Sequence, residues 1–151
     1  MSLYVILKFV HVLLAIIAIG FNASYAIWIA RAEREPEHAL HVLRGVKFLD
    51  DRFANPAYGL LLVFGLAMTF MAGYPLSTLW IAASLVLYVG LVLVGLFVYT
   101  PTLKRQIAVL EAEGATAPAY TQLSRRSSAV GIALAVDVVV IVFLMVTKPT
   151  L

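Results

Sequence analysis

The sequence contains no cysteine. Disulfides, thiolate metal sites and cysteine nucleophiles are therefore excluded, while the redox compartment is left open. Charge is scarce as well. Only 13% of the 151 residues are Asp, Glu, Lys or Arg, against about 25% in ordinary soluble domains. Phosphate loops, dinucleotide fingerprints, zinc-ligand pairs and nucleophile elbows are all missing, so the soluble-enzyme readings fail and no metal site is expected. No nucleic-acid partner is expected. The positive charges of the connections are interleaved with Glu33, Glu35, Glu37, Asp50, Asp51, Glu111 and Glu113, which leaves no basic face.

What the chain has instead is apolar residues, 63% of the total, with a mean hydropathy of +0.99. A water-soluble fold cannot hide that much apolar surface, so the expected solvent is the lipid bilayer. Four apolar runs, about 3–30, 56–73, 77–100 and 126–147, reach the roughly 20 residues that a membrane helix needs. The fold class expected is all-α, a single domain over 1–151 forming a four-transmembrane-helix bundle. The "ANPAYG" stretch starts the second span, with proline at a first-turn position where no amide hydrogen is missed. The "AGYPLS" turn leaves hardly any loop between spans two and three, so these two are expected to be antiparallel neighbours.

Orientation follows from the basic residues. Arg31, Arg34, Arg44, Lys47 and Arg52 lie in the first connection, and Lys104, Arg105, Arg125 and Arg126 in the third. The second connection has none, and Lys148 alone follows the last span. Nine against one places the long connections in the cytoplasm and both termini outside. The expected location is a membrane that the chain crosses several times. A signal peptide is the rival reading of the first span, through "FVHVLLAIIAIG" and a cleavage site at "SYA". The stretch has no basic start apart from Lys8, so it is read as a retained helix.

The connections carry helical patterns of their own. Ala39, Val42, Leu43, Val46, Leu49 and Phe53 recur at helical spacing, and Pro36 suits a first turn. An amphipathic cytoplasmic helix is expected over about 36–53, lying on the inner surface or extending span two. His38 and His41 on it read as solvated histidines. Span three continues through Pro101, an expected kink, along Leu103, Ile107 and Leu110 toward Gly114, a helix end. Another helix starts near Pro118.

Two features stand against the apolar background. Tyr4, Lys8, His11, Ala15, Ala18, Asn22 and Tyr25 step by four and three along the first span. They form one polar and small-residue face, which belongs inside the bundle. Asp137 is the other feature, the one acid in any span. A carboxylate at mid-membrane costs roughly 2.5–3.5 kcal/mol, so it needs a partner or a proton. Counted at about 1.5 Å per residue, His11, Ser84, Tyr88 and Asp137 are expected to share a layer in the outer half. Asp137 pairing with Tyr88, or a bridging water, is favoured over an ion pair with His11. Lys8 lies near the outer surface and snorkels. His11 is too short and too deep to do so, which leaves it as a haem ligand, a proton carrier or a packing residue.

The stretches "LYVILKFVHVLLAIIAIGFNASYAIWIARAER" and "FLDDRFANPAYGLLLVFGLAM", the basic "LKRQ" arm and the final "LMVTKP" resemble a family of bacterial integral membrane proteins. It is catalogued as domain of unknown function 2269. The likeness covers nearly the whole chain and implies a four-span bundle without a defined activity. "LKFVH" and "NPAYGLLLVFGL" more distantly resemble the small haem-binding membrane protoporphyrinogen oxidases. That resemblance implies haem b as cofactor with His11 as axial ligand. The chain departs from it in span three, which lacks the expected basic residues. No span holds a second histidine, so haem would be five-coordinate, take a weak ligand such as Met68, or sit at a homodimer interface. A third likeness, to copper-resistance membrane domains, founders on four methionines and no cysteine. Three functions follow as expectations. The first is a haem- or redox-associated role through His11. The second is a structural or accessory role within a homodimer or membrane complex. The third is a small transporter or proton path using Asp137.

Overall fold

A computed structural model describes residues 2–149, and the described chain is helical with no strand. Helix α1 spans Leu3–Arg34. A short 3-10 turn at Pro36–His38 leads into α2, Ala39–Leu49. Helix α3 covers Asn55–Met71, α4 Leu79–Val94, α5 Thr100–Glu113 and α6 Pro118–Thr147. Four of the resulting rods are long and apolar enough to cross a membrane: Leu3–Arg34, Pro36–Met71, Leu79–Glu113 and Pro118–Thr147. The protein is a four-span helix bundle.

Two of the rods contain a π-helical turn, at Asp50–Ala54 and Gly95–Tyr99. Each turn is followed by one residue and then a proline, Pro56 or Pro101. In a regular α-helix a proline has no amide hydrogen for the carbonyl four residues back, and its ring strikes that carbonyl. Widening the preceding turn relieves the clash. The amides just before the prolines then reach five residues back, Asn55 to the Asp50 carbonyl and Thr100 to the Gly95 carbonyl. The kink expected at Pro101 is thus a π turn, and Pro56 makes the same feature in the other arm. Both rods pass through unbroken, so α2 continues into α3 as one rod, Pro36–Met71.

The arms pack into a helical lobe. Its core joins Tyr25 and Ala32 of α1, Ala39, Leu43 and Val46 of α2, Leu103 and Leu110 of α5, and Ala117 and Tyr120 at the start of α6. Arg44 of α2 and Glu111 of α5 close the lobe at its surface, 2.7 Å apart. Gly114, at φ +83°, turns the chain from α5 toward α6, a backbone region open mainly to glycine. The bundle beyond the lobe buries little. Phe9, Ile16, Val63, Val86, Ile132 and Val139 all face outward, as lipid-facing residues do.

In the bundle, α1 packs along α3 and α4 along α6, with α1 and α6 also in contact. Helices α3 and α4 make no close backbone approach, although the turn at 72–78 joins them. The two expected neighbours are joined through a side chain and not by close backbone packing. The Tyr58 side chain turns toward Asn22 of α1. Tyr88 spans the gap and donates its hydroxyl to the Tyr58 carbonyl at 2.5 Å.

Candidate functional site

The polar face of α1 turns into the bundle. Ala18 and Tyr25 are buried, while His11, Ala15 and Asn22 are half-buried. Lys8, one turn before His11, is exposed. His11 meets α3 at Gly65. A methyl group placed on Gly65 would lie 3.1 Å from His11 Cε1 and 3.6 Å from Nδ1. The missing side chain of Gly65 is therefore the seat of the imidazole. His11 Nδ1 is buried without a hydrogen-bond partner among the described residues.

Asn22 is the second polar link between α1 and α3. Its amide donates to the Ala18 carbonyl at 3.0 Å and to the Tyr58 hydroxyl at 2.6 Å. Through Tyr58 the chain of contacts runs on to Tyr88, so one asparagine and two tyrosines tie α1, α3 and α4 together. Such interhelical hydrogen bonds average about 0.6 kcal/mol in a membrane.

The proposed polar layer does not form one cluster. Among the described residues, no hydrogen bond or ion pair joins any two of Lys8, His11, Ser84, Tyr88 and Asp137. Tyr88 gives its hydroxyl to Tyr58, so the expected pairing with Asp137 is not made. Ser84 Oγ and Asp137 Oδ2 are buried without partners. Depth explains the separation. The Lys148 ammonium lies over the Trp80 ring at 5.3 Å, and a methyl group on Gly131 would meet Tyr99 at 3.6 Å. These two contacts set the antiparallel register of the Leu79–Glu113 rod against α6. On it Asp137 faces residues 91–93, about 12 Å along the helix from Ser84.

A different constellation lies where the spans meet the lobe. Asp50, in the first π turn, is 6% exposed. Asn55 Nδ2 donates to its Oδ2 at 3.2 Å. Tyr25 of α1, Tyr58 of α3 and Tyr99 of the second π turn lie within electrostatic range of the Asp50 carboxylate. The Tyr25 hydroxyl is buried and has no partner. Lys47 is engaged by Asp51, and Asp50 has no ion pair among the described residues. Burial pushes the Asp50 carboxyl above the ordinary carboxylate range, and the Asp51 charge adds to the rise; Asn55 and Lys47 oppose it. Sequence reasoning passed over Asp50 by grouping it with the solvated acids. The signal was its spacing: Ala39, Leu43, Val46 and Asp50 step by four, three and four, and all four are buried.

Two clefts stand out, and His11 lines neither. One, of about 300 Å³, opens at the tip of the lobe between Ala32, Glu33, Pro36, Tyr120 and Arg125. The other is a groove on the outer side of α4 along Thr78, Ala82, Ala83 and Val86. No group of three or more His, Asp or Glu side chains suited to a metal occurs among the described residues. For haem, one edge of the His11 ring is pressed onto α3, and no span supplies a second histidine.

No curated protein matches the chain, and no solved structure does. A family model described as "Predicted integral membrane protein (DUF2269)" matches residues 5–149. With nearly the whole chain covered, this four-span membrane protein belongs to the DUF2269 family.

Proposed function

We propose that this protein is a non-enzymatic structural or accessory membrane protein, whose four spans hold a helical lobe at the inner face of a bacterial plasma membrane. The observation that carries this reading is the seating of His11 on Gly65. The residue that invites a cofactor is spent on packing α1 against α3. Asn22, Tyr58 and Tyr88 serve the same end. The nine-to-one excess of basic residues on the lobe side supports a cytoplasmic lobe and outer termini. The Trp80–Lys148 contact suits a membrane–water interface at the opposite end. A second copy or another membrane protein is the partner this reading requires.

The test is an absorption spectrum of gently purified protein, oxidised and then reduced, beside His11→Ala. The accessory reading expects no haem band in either protein and lower stability in the variant. A haem band in the wild type that disappears with His11→Ala would restore the redox reading. One observation favours a second reading, a proton path: Asp137 Oδ2 is buried in a span without a partner. Proton flux in vesicles that Asp137→Asn abolishes would establish it.

A further inference from the structure

We propose that Asp50 and Tyr25 form a proton-binding site at the junction between the spans and the lobe. This goes beyond the accessory reading and does not depend on it. Asp50 continues the buried face of α2, so its carboxylate is enclosed by protein where the lobe core ends. Every neighbouring charge is accounted for. Lys47 on the same rod acts on Asp50 but is engaged by Asp51. Helix α1 packs on the first π turn, with the Phe21 and Phe53 rings 5.8 Å apart, and the groups within electrostatic range from α1, α3 and the second π turn are the phenols Tyr25, Tyr58 and Tyr99. None of these is a cation. A buried carboxylate with no ion pair needs a neutralising ligand, and the smallest is a proton.

Tyr25 is the independent sign that something binds here. It is 3% exposed, it packs in the lobe core, and its hydroxyl has no partner. A phenol is both donor and acceptor. It can accept a hydrogen bond from the neutral acid and donate one to the anion, directly or through one water. Asn55 holds the other side of the carboxyl through Oδ2. In the binding step a hydronium ion from the lobe-side water gives its proton to an Asp50 oxygen and leaves as water. No other bond changes. The site sits in a π turn, a feature that recurs at functional positions. A change of charge at Asp50 acts where α2 passes into α3.

The chain contains three aspartates, Asp50, Asp51 and Asp137, so carbon-13 labelling of aspartate gives a spectrum simple enough to assign. The full-length protein in lipid nanodiscs is titrated with pH and read by carbon NMR or isotope-edited infrared. Asp51→Asn and Asp137→Asn assign the remaining signals by elimination, so the assignment stands even if Asp50→Asn fails to fold. The expected result is a protonated carboxyl that persists above the ordinary carboxylate range in the wild type and in the Asp137→Asn protein. Tyr25→Phe should shift that midpoint and leave the Asp137 signal in place. Ordinary-range titration of Asp50 would overturn the proposal. So would a midpoint that follows sodium concentration at fixed pH, which would make the ligand a metal cation, or one indifferent to Tyr25→Phe.

Discussion

Gly65→Ala is the most informative single change, because its effect should reverse with its background. In the wild type the added methyl lies 3.1 Å from His11 Cε1, too close for an undisturbed contact. The ring or the α1–α3 spacing must give by a few tenths of an ångström, and overpacking of this kind costs about 1–3 kcal/mol. Against it, replacing a helix-interior glycine with alanine contributes up to about 1 kcal/mol. The net expectation is a loss of about 0–2 kcal/mol. With His11→Ala the ring is gone and only the helix term remains, so the same substitution should stabilise by up to about 1 kcal/mol. The double-mutant cycle should therefore show a coupling of about 1–3 kcal/mol, within the range found for residues in contact. The assay is reversible unfolding in mixed detergent micelles, followed by circular dichroism for the four proteins. Equal effects of Gly65→Ala in both backgrounds would refute the seating of His11 on Gly65.

The other predictions address the lobe, the tyrosine bridge and Asp50. Leu43→Ala and Leu103→Ala each remove a side chain buried at the centre of the lobe, and each should cost about 2–5 kcal/mol. Hydrogen exchange should show the lost protection in α2 and α5 first, with the spans retained. Tyr58→Phe removes the acceptor for Asn22 and should cost about 0.6 kcal/mol, up to ~1.7 kcal/mol, in the same unfolding assay. Asp50 titrates above its unfolded value. Its contribution to stability is therefore fully present below the unfolded pKa and is lost as pH rises through the folded one. Asp50→Asn should flatten that fall in a pH series of unfolding midpoints, and an unchanged slope would contradict the assignment.

The helical plan was legible because its signals are long and redundant. Each span is an extended apolar run, and Gly114 and Pro118 punctuate the arms by backbone chemistry alone. The inward face of α1 was legible from the spacing of His11, Ala18, Asn22 and Tyr25, and the structure turns that face into the bundle. Depth was harder to read. Counting from approximate span ends placed Ser84 and Asp137 in one layer, whereas the contacts of Trp80 with Lys148 and of Tyr99 with Gly131 separate them. A small error in a helix start becomes several ångströms of depth. The α3–α4 gap was not legible either, since a short connector makes two helices neighbours without fixing the distance between their backbones, which Tyr88 spans. Asp50 was obscured by composition: a charged residue in a charged connection reads as solvated until the helices that cover it are known.

The accessory reading rests on what His11 does, and the absorption spectrum tests that most directly. Protein purified gently from membranes is compared with His11→Ala, each oxidised and then reduced. The account predicts no haem absorption in either and a difference in unfolding stability alone. A haem band present in the wild type and lost in the variant would contradict it and make His11 a ligand.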